Sequence, residues 1–313
     1  MRLIIDTDPG VDDGVALVMA LRHPGVHVEA ITVVHGNAGL AHNVRNARLV
    51  TEVCGVEVPV YAGARHPIMR PAPRRPSWIH GKDGFGDIGL RPRRGRADLG
   101  FAADRIVELV MRSPGEITIV TLGPLTNIAL ALVREPRLPK AVRGIVLMGG
   151  AARAADNVTP VAEFNVHADP EAAKAVFRAG FSLTMAGIEL SRGAARLTEE
   201  DVAAIAALAT PAARLVGALL GHSLRIAARR PMLPGEHGAA CPDAVGMAIA
   251  LDPSIMSDHA DAHVDVETSG ALTTGMTVVD RLGLSGHPPN ARVGYAIDAA
   301  RFKALLLERC RGK

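Results

Sequence analysis

Four aspartates near the start of the chain are the first residues whose type and spacing point to chemistry. Asp6, Asp8, Asp12 and Asp13 fall in one eight-residue segment between two apolar runs. Carboxylates that are held a few ångströms apart repel one another, and the repulsion grows where water is excluded. One or two of them could cap the helix that follows. Because capping does not account for all four, the segment predicts a bound divalent cation.

Calcium is the cation that such ligands favour. It takes about six to eight oxygens, including bidentate carboxylates and backbone carbonyls, whereas magnesium needs a tighter octahedron. Asp243 is a candidate for a further ligand because it opens an apolar helix just as Asp12 and Asp13 do, although it would also serve as an ordinary helix cap. An EF-hand is not expected, because a strand rather than a helix precedes the aspartate segment.

Polar side chains are also concentrated in three later segments, 34–38, 122–129 and 157–165, each of which follows a predicted strand. A sugar hydroxyl both donates and accepts a hydrogen bond, so amides and a carboxylate beside a metal suit a polyol ligand. Taken singly, these side chains also have structural explanations, as turn residues or as partners of buried backbone groups.

The elements that must position these residues alternate along the chain. Short β-branched runs predict strands at residues 3–5, 28–34, 58–62, 117–121, 145–148 and 182–185, and the stretches between them predict helices at 12–21, 40–53, 98–111, 124–133 and 170–178. This order predicts an α/β fold with a mainly parallel, doubly wound, Rossmann-like sheet that helices cover on both faces. Right-handed crossovers would bring the loops after the early strands to one edge.

The rest of the chain is expected to add helices, a few strands and a long lid loop. The pattern predicts helical structure over 197–230, strands at 263–267, 277–279 and 293–297, and a last helix over 298–310. Residues 63–95, rich in Pro, Gly and Arg, predict a loop of the kind that often covers a binding site. Because no repeat or low-complexity linker divides the chain, residues 1–313 are expected to form a single domain.

Composition argues against several classes of protein. Residues 65–96 hold many arginines, but aromatic residues that could stack on bases make up only 3% of the chain, so no nucleic-acid polymer is expected as a partner. No apolar run reaches the ~18 residues of a membrane span and no signal segment opens the sequence, which predicts a cytoplasmic protein without membrane contact. The three cysteines share no metal or redox spacing and are expected to be reduced.

Taken together, these motifs resemble the inosine-uridine nucleoside hydrolase family. The matching segments are 6–13, 36–37, 122–127, 157–165 and 273–280, so the resemblance covers essentially the whole chain. It implies a Rossmann-like α/β fold, tightly bound calcium, and hydrolysis of the N-glycosidic bond of ribonucleosides to ribose and free base. It also implies a homo-oligomer, either a dimer or a tetramer.

The resemblance implies a role for each matching residue. Calcium would be bound by three carboxylates and one backbone carbonyl, those of Asp8, Asp13, Asp243 and Leu122. Asp8 would also take the proton from the attacking water. The ribose hydroxyls would be held by four polar side chains, those of Asp12, Asn157, Glu163 and Asn165. Asn37, together with Asp6, would support the metal and the substrate from a surrounding shell.

The sequence departs from the family at the position of the leaving-group acid. Many members carry a histidine directly before the aspartate matched by Asp243, and here that position is Pro242, which has no proton to give. His80 and His237 are candidate replacements, and His80 matches a loop histidine near the family's active site. The third alternative is that the base leaves without an acid.

Two further positions bear on the nucleobase. Trp78, the only tryptophan, lies in the predicted lid, where it could stack on a base or simply pack the loop. Thr274 stands where the family often has a basic residue, so these motifs do not choose between purine and pyrimidine substrates.

Two other functions are compatible with parts of the sequence. Asp6-Thr7-Asp8 after an apolar strand is similar to the start of a haloacid-dehalogenase-like phosphatase, a magnesium enzyme with a nucleophilic aspartate, but that function leaves residues 9–13 unexplained. A noncatalytic nucleoside- or sugar-binding relative would keep the pocket without the leaving-group acid. Nucleoside hydrolysis accounts for the most residues and is the function that we expect.

Overall fold

The computed structural model describes residues 1–72, 75–153, 155–229 and 237–311. The strands are β1 Arg2–Thr7, β2 His27–Val33, β3 Val60–Ala62, β4 Ile117–Thr121, β5 Gly144–Met148, β6 Leu183–Ala186, β7 Met256–Val266, β8 Thr277–Asp280 and β9 Ala291–Ile297. The helices are α1 Val11–Leu21, α2 Leu40–Cys54, α3 Ser77–His80, α4 Ala102–Arg112, α5 Thr126–Arg134, α6 Leu138–Ala141, α7 Phe164–Ala168, α8 Pro170–Arg178, α9 Glu199–Ala206, α10 Pro211–Arg229, α11 Pro242–Leu251 and α12 Ala299–Cys310.

These strands form one sheet in the order β3-β2-β1-β4-β5-β6-β9-β7-β8. Neighbouring strands from β3 to β9 pair in parallel, whereas β7 is antiparallel to both β9 and β8. The predicted α/β class with a mainly parallel sheet is confirmed, and the antiparallel strands are confined to one end.

Most predicted boundaries lie within two residues of the observed ones, and three elements differ more. β7 starts at Met256 rather than at residue 263, and its first half carries mostly exposed side chains, which is why the apolar pattern did not reveal it. α4 starts at Ala102 rather than at residue 98, because the carboxylate of Asp98 accepts a hydrogen bond from the Val60 amide of β3 at 2.8 Å. The helical stretch 197–230 is divided into α9 and α10, and residue 230 lies outside the described residues.

The central strand β1 separates two hydrophobic cores. Leu3 and Ile5 belong to the core that includes α1 and α11, whereas Ile4 belongs to the core that includes α5 and α8. Successive side chains of a strand point to opposite faces of the sheet, so a strand covered on both faces needs an unbroken apolar run. This is the physical reason for the apolar residues that precede the first aspartate.

Topology brings aspartates from distant parts of the sequence to one edge of the sheet. Asp6 is in register with Thr32 of β2 on one side and with Thr121 of β4 on the other. α1 follows β1 at this edge and packs against α11. Asp243, in the first turn of α11, therefore lies beside Asp12 and Asp13 in the first turn of α1.

The predicted lid, residues 63–95, contains ordered structure. It includes the short helix α3, and Phe85 further along is buried against Gly14 of α1. Residues 73 and 74 of this segment lie outside the described part of the chain.

Across the described ranges, no helix combines the length and the apolar character that a membrane crossing requires. The longest of them, α10, has 19 residues and includes several arginines.

Candidate active site

Asp8 occupies a space that only glycine neighbours leave open. Its Oδ2 accepts a hydrogen bond from the Asn37 amide at 2.7 Å, whereas its Oδ1 is buried without a partner among the described residues. A Cβ atom at Gly36 would lie 1.9 Å from Oδ2, and one at Gly123 would lie 2.5 Å from Oδ1. A buried acceptor without a partner is rare in proteins, and a cation would satisfy it.

Asp13 is fixed by the start of its own helix. Its Oδ2 accepts hydrogen bonds from the Gly10 amide at 2.9 Å and from the Asn37 side chain at 3.1 Å, and its Oδ1 accepts one from the Thr7 hydroxyl. The carboxylate is fully buried. One aspartate of the segment thus caps its helix, and hydrogen bonds from Thr7, Gly10 and Asn37 fix its position.

Asp12, Asp13 and Asp243 form a group of carboxylates in which one oxygen from each lies within 4.8 Å of the others. The family resemblance implies Asp8, rather than Asp12, as the carboxylate that joins Asp13 and Asp243. In the structure Asp8 is fully buried and close enough to Asp12 and Asp13 for their charges to raise its pKa. The four carboxylates therefore belong to one electrostatic cluster.

Burial raises the pKa of every member of this cluster. For Asp8 and Asp243 the pKa lies well above the ordinary value, first because the groups are removed from water and then because neighbouring carboxylates repel a further negative charge. For Asp12 and Asp13 the direction and the main cause are the same. Such a cluster must either hold protons or bind a cation, and all of its donors are the hard oxygens that calcium prefers.

Asp6 has partners other than this cluster. Its Oδ1 accepts hydrogen bonds from the Thr32 hydroxyl at 2.5 Å and from the Asn127 side-chain amide at 2.8 Å, so it joins β1 to β2 and α5. It does not line the cavity described below. A nucleophilic Asp6, which the phosphatase alternative required, is therefore not supported.

A cavity of about 720 Å³ opens at this edge of the sheet, which is a typical size for a small-molecule site. Eight of the residues singled out from the sequence line it: Asp12, Asn37, His80, Leu122, Asn157, Glu163, Asn165 and Asp243. The fully buried Asp8 and Asp13 do not. The polar segments that were separate in the sequence thus meet at one place.

One wall of the cavity is built around Glu163. Its Oε1 accepts a hydrogen bond from the Asn165 amide and its Oε2 accepts one from the Gly150 amide, both at 2.8 Å. Burial raises the pKa of Glu163 to about 7. The side-chain amide of Asn165 donates to the carbonyl of Leu122 at 2.9 Å. A carbonyl has two lone pairs, so this contact leaves Leu122 able to accept a second partner.

Of the two candidate histidines, only His80 lies at the cavity. Its Nδ1 accepts a hydrogen bond from the Val11 amide at 3.1 Å and lies 4.0 Å from Asp12. Burial lowers the pKa of His80 to about 4. The ring is therefore neutral near pH 7, with its proton on Nε2. His237 is exposed and does not line the cavity, whereas Pro242 does.

Several lining residues were not predicted from the sequence. They come from the end of β5, from the turn after β6 and from α10, and include Met148, Ile188, Ser191, Arg192, Arg196, Ser223, Ile226 and Ala227. The three from α10 share one face at a spacing of three and four residues. That spacing was visible in the sequence, but their residue types carry no chemical signal.

Comparisons with known proteins match nearly the whole chain. The sequence model of the inosine-uridine preferring nucleoside hydrolase family matches residues 3–304. The pyrimidine-specific ribonucleoside hydrolase RihB of Escherichia coli (strain K12 / DH10B) is 36% identical over 313 residues, which cover 99% of this chain and 97% of that protein. The fold is similar to that of the plant nucleoside hydrolase PpNRh1, with a TM-score of 0.92, 31% identity, and coverage of 100% of this chain and 99% of that one. It is also similar to the purine-preferring ribonucleoside hydrolase from Gardnerella vaginalis, with a TM-score of 0.91, 30% identity, and coverage of 99% and 98%.

Proposed function

Because the chain belongs to the inosine-uridine preferring nucleoside hydrolase family, and is thus an N-glycosyl hydrolase, we propose that it hydrolyses ribonucleosides in a calcium-dependent reaction with Asp8 as the general base. The observation that carries this proposal is the unpartnered Oδ1 of Asp8 beside the clustered carboxylates of Asp12, Asp13 and Asp243. Asp12 and Asp243 line a cavity whose other polar residues suit a ribose, while Asp8 and Asp13 are buried next to them.

The residues that would hold calcium are Asp8, Asp13, Asp243 and the carbonyl of Leu122. When bound, the ion offsets the repulsion between the carboxylates and makes a water molecule more acidic. Asp8 is oriented for this task by the Asn37 amide on Oδ2, which leaves Oδ1 available.

Asp8 would accept the proton of the water that attacks the anomeric carbon. Its Oδ1, which has no hydrogen-bond partner among the described residues, is the atom that would take this proton. A general base contributes about 10²- to 10⁴-fold to a rate, so positioning and electrostatic stabilisation must supply most of the remaining acceleration.

The ribose would be held between Asp12, Asn157, Glu163 and Asn165. Cleavage of a glycosidic bond passes through an oxocarbenium-like state, in which positive charge develops on the sugar. Carboxylates close to the ring stabilise that charge, and hydroxyl contacts that tighten in the transition state lower the barrier further.

The leaving base would not be protonated by a charged histidine. Pro242 occupies the position of the family's acid, and His80 is neutral near pH 7 because its pKa is lowered to about 4. With Nδ1 engaged by Val11, His80 can offer the Nε2 proton only as a hydrogen bond. The base would therefore leave with a hydrogen bond from the protein and take its proton from water.

A nucleoside panel and one variant test this proposal. Purified protein with calcium is incubated with uridine, cytidine, inosine, adenosine and guanosine, and the liberated reducing sugar is measured. Uridine and cytidine come first, because the RihB relative is named pyrimidine-specific. We expect Asp8→Asn, which keeps the shape of the side chain, to lower kcat by about 10²- to 10⁴-fold, since it removes the proton acceptor.

Glu200→Gln is a matched control, because Glu200 is an exposed carboxylate on α9 that does not line the cavity. Full activity in Asp8→Asn, or activity that persists in excess chelator, would contradict the assignment of Asp8 or of calcium. Absence of sugar release from every nucleoside by the unmodified protein would contradict the proposed reaction.

A further inference from the structure

Two helices that both line the cavity contact each other, and they are joined by a side chain that the proposed chemistry does not use. α3 contributes Trp78, Ile79 and His80 to the lining, and α10 contributes Ser223, Ile226 and Ala227. His222 of α10 lies next to Ser223, and its Nε2 is 2.8 Å from the carbonyl oxygen of Ile79. Since a carbonyl only accepts, the imidazole donates this hydrogen bond.

The helix α3 depends on contacts of this kind. It has only four residues, no side-chain cap at its start, and too few turns to be stable alone. The carbonyl of His80 accepts a hydrogen bond from the Gly86 amide at 2.8 Å, and the His80 ring accepts one from Val11 of α1. The bond from His222 fixes α3 from a third side, that of α10.

The surroundings of His222 show a fitted site rather than a surface side chain. A Cβ atom added at Gly86 would lie 2.6 Å from Cγ of the His222 ring, and Gly86 has a φ of 67°. Only glycine satisfies both the conformation and the space. Close by, Leu219 of α10 and Phe85 both pack against Gly14 of α1. The ring thus stands between α10 and the segment that follows α3.

We propose that His222 is a positioning residue, which holds α3 against α10 so that His80 faces the substrate. The inference rests on the proposed function, because it acts through the contact between His80 and a nucleoside. His222 itself does not line the cavity. Its effect on the reaction therefore passes through the placement of α3.

The single tryptophan makes this proposal measurable. Trp78 is the only tryptophan in the chain, lies on α3 and is 39% exposed, so its fluorescence reports on α3 alone. We expect His222→Ala to increase acrylamide quenching of Trp78 and to raise KM for the best nucleoside by about three- to tenfold, the cost of one hydrogen bond. Because the same contact stabilises the departing base, kcat should fall by no more than a similar factor.

Two further variants separate positioning from a general loss of stability. His222→Gln keeps an N–H donor, and we expect it to restore both quenching and KM to near the original values. Arg225→Ala removes an exposed side chain from the same helix without touching α3, and we expect it to change neither quantity. In a His80→Ala background, His222→Ala should raise KM by less than about twofold, because the residue through which it acts is already absent.

The proposal is overturned if His222→Ala folds and leaves both Trp78 quenching and KM unchanged. It is also overturned if His222→Gln behaves like His222→Ala, or if the effect on KM is equally large without His80. If the unmodified protein released no sugar, the proposed function would fail, while the quenching comparison among the variants would still decide whether His222 holds α3.

Discussion

Asp8 depends on two glycines as much as on its charged neighbours. Gly36 and Gly123 lie on either side of its carboxylate, and no side chain fits at either position without displacing an oxygen. The aspartates carry the chemical signal in the sequence, but these glycines set where the carboxylate of Asp8 can stand. Glycine is required at these two positions for a steric reason, so the requirement can be tested without changing the charge of the site.

Gly36→Ala is expected to lower kcat/KM by about 10²-fold or more. The added methyl group would lie 1.9 Å from Oδ2 of Asp8, and a displacement of about 1 Å in a reacting group costs on the order of 10²-fold. Steady-state kinetics with saturating calcium measures the effect. Gly95→Ala is the control, because its nearest neighbour would be 3.6 Å away, and wild-type kinetics in Gly36→Ala would show that Asp8 tolerates the shift.

At the scale of elements, the ligands of the proposed calcium site come from the turn after β1, from α1, from the turn after β4, and from α11. α1 and α11 pack side by side and both point their first turns at the cluster. A cation held between them would link parts of the chain that are distant in sequence. Its binding energy would therefore add to the stability of the folded protein.

Calcium is expected to raise the free energy of unfolding by about 2.7 kcal/mol at a concentration 100-fold above its Kd. Thermal unfolding in calcium and in chelator, followed by circular dichroism, measures this. Asp243→Asn should lose most of the calcium-induced rise, because it removes a carboxylate from the cluster. A rise of equal size in Asp243→Asn would place the ion elsewhere.

Features that depend on residue type could be predicted from the sequence. Features that depend only on packing in the folded chain could not. The unbroken apolar run 3–5 predicted β1, and the aspartates after it predicted a cluster at its end, both of which the fold contains. The first half of β7 is mostly exposed and shows no apolar alternation. It forms a strand because it pairs with β9, which lies more than thirty residues further along the chain. The α10 wall of the cavity was missed for a similar reason, since Ser223 and Ala227 gain a role only from their position.

At the scale of the whole molecule, buried acids make stability depend on pH. Burial raises the pKa of Glu163 and of Asp6 to about 7 in the folded chain, from ordinary values near 4 in the unfolded one. Between these values the folded state holds protons that the unfolded state has released. The contribution of these two acids to the free energy of unfolding is therefore complete below about pH 4, and it is lost as the pH rises through 7.

In chelator, the free energy of unfolding is expected to fall between pH 5 and pH 8. For Glu163 alone the shift corresponds to about 3 kcal/mol, because one pKa unit is worth about 1.4 kcal/mol. Guanidinium denaturation at several pH values measures the slope. Glutamine cannot titrate, so Glu163→Gln should reduce the slope of the free energy of unfolding against pH. An unchanged slope in this variant would show that other groups are responsible.

The insertion of β9 between β6 and β7 has a consequence for biosynthesis. A ribosome makes β6 long before its parallel neighbour β9, and Asp243 emerges long after Asp8. At about 5–20 residues per second, the nascent chain waits for roughly tens of seconds with an incomplete sheet and an incomplete cation site. The proposed site is thus incomplete until most of the chain has been made, and during that interval the edge of β6 lacks its parallel neighbour β9.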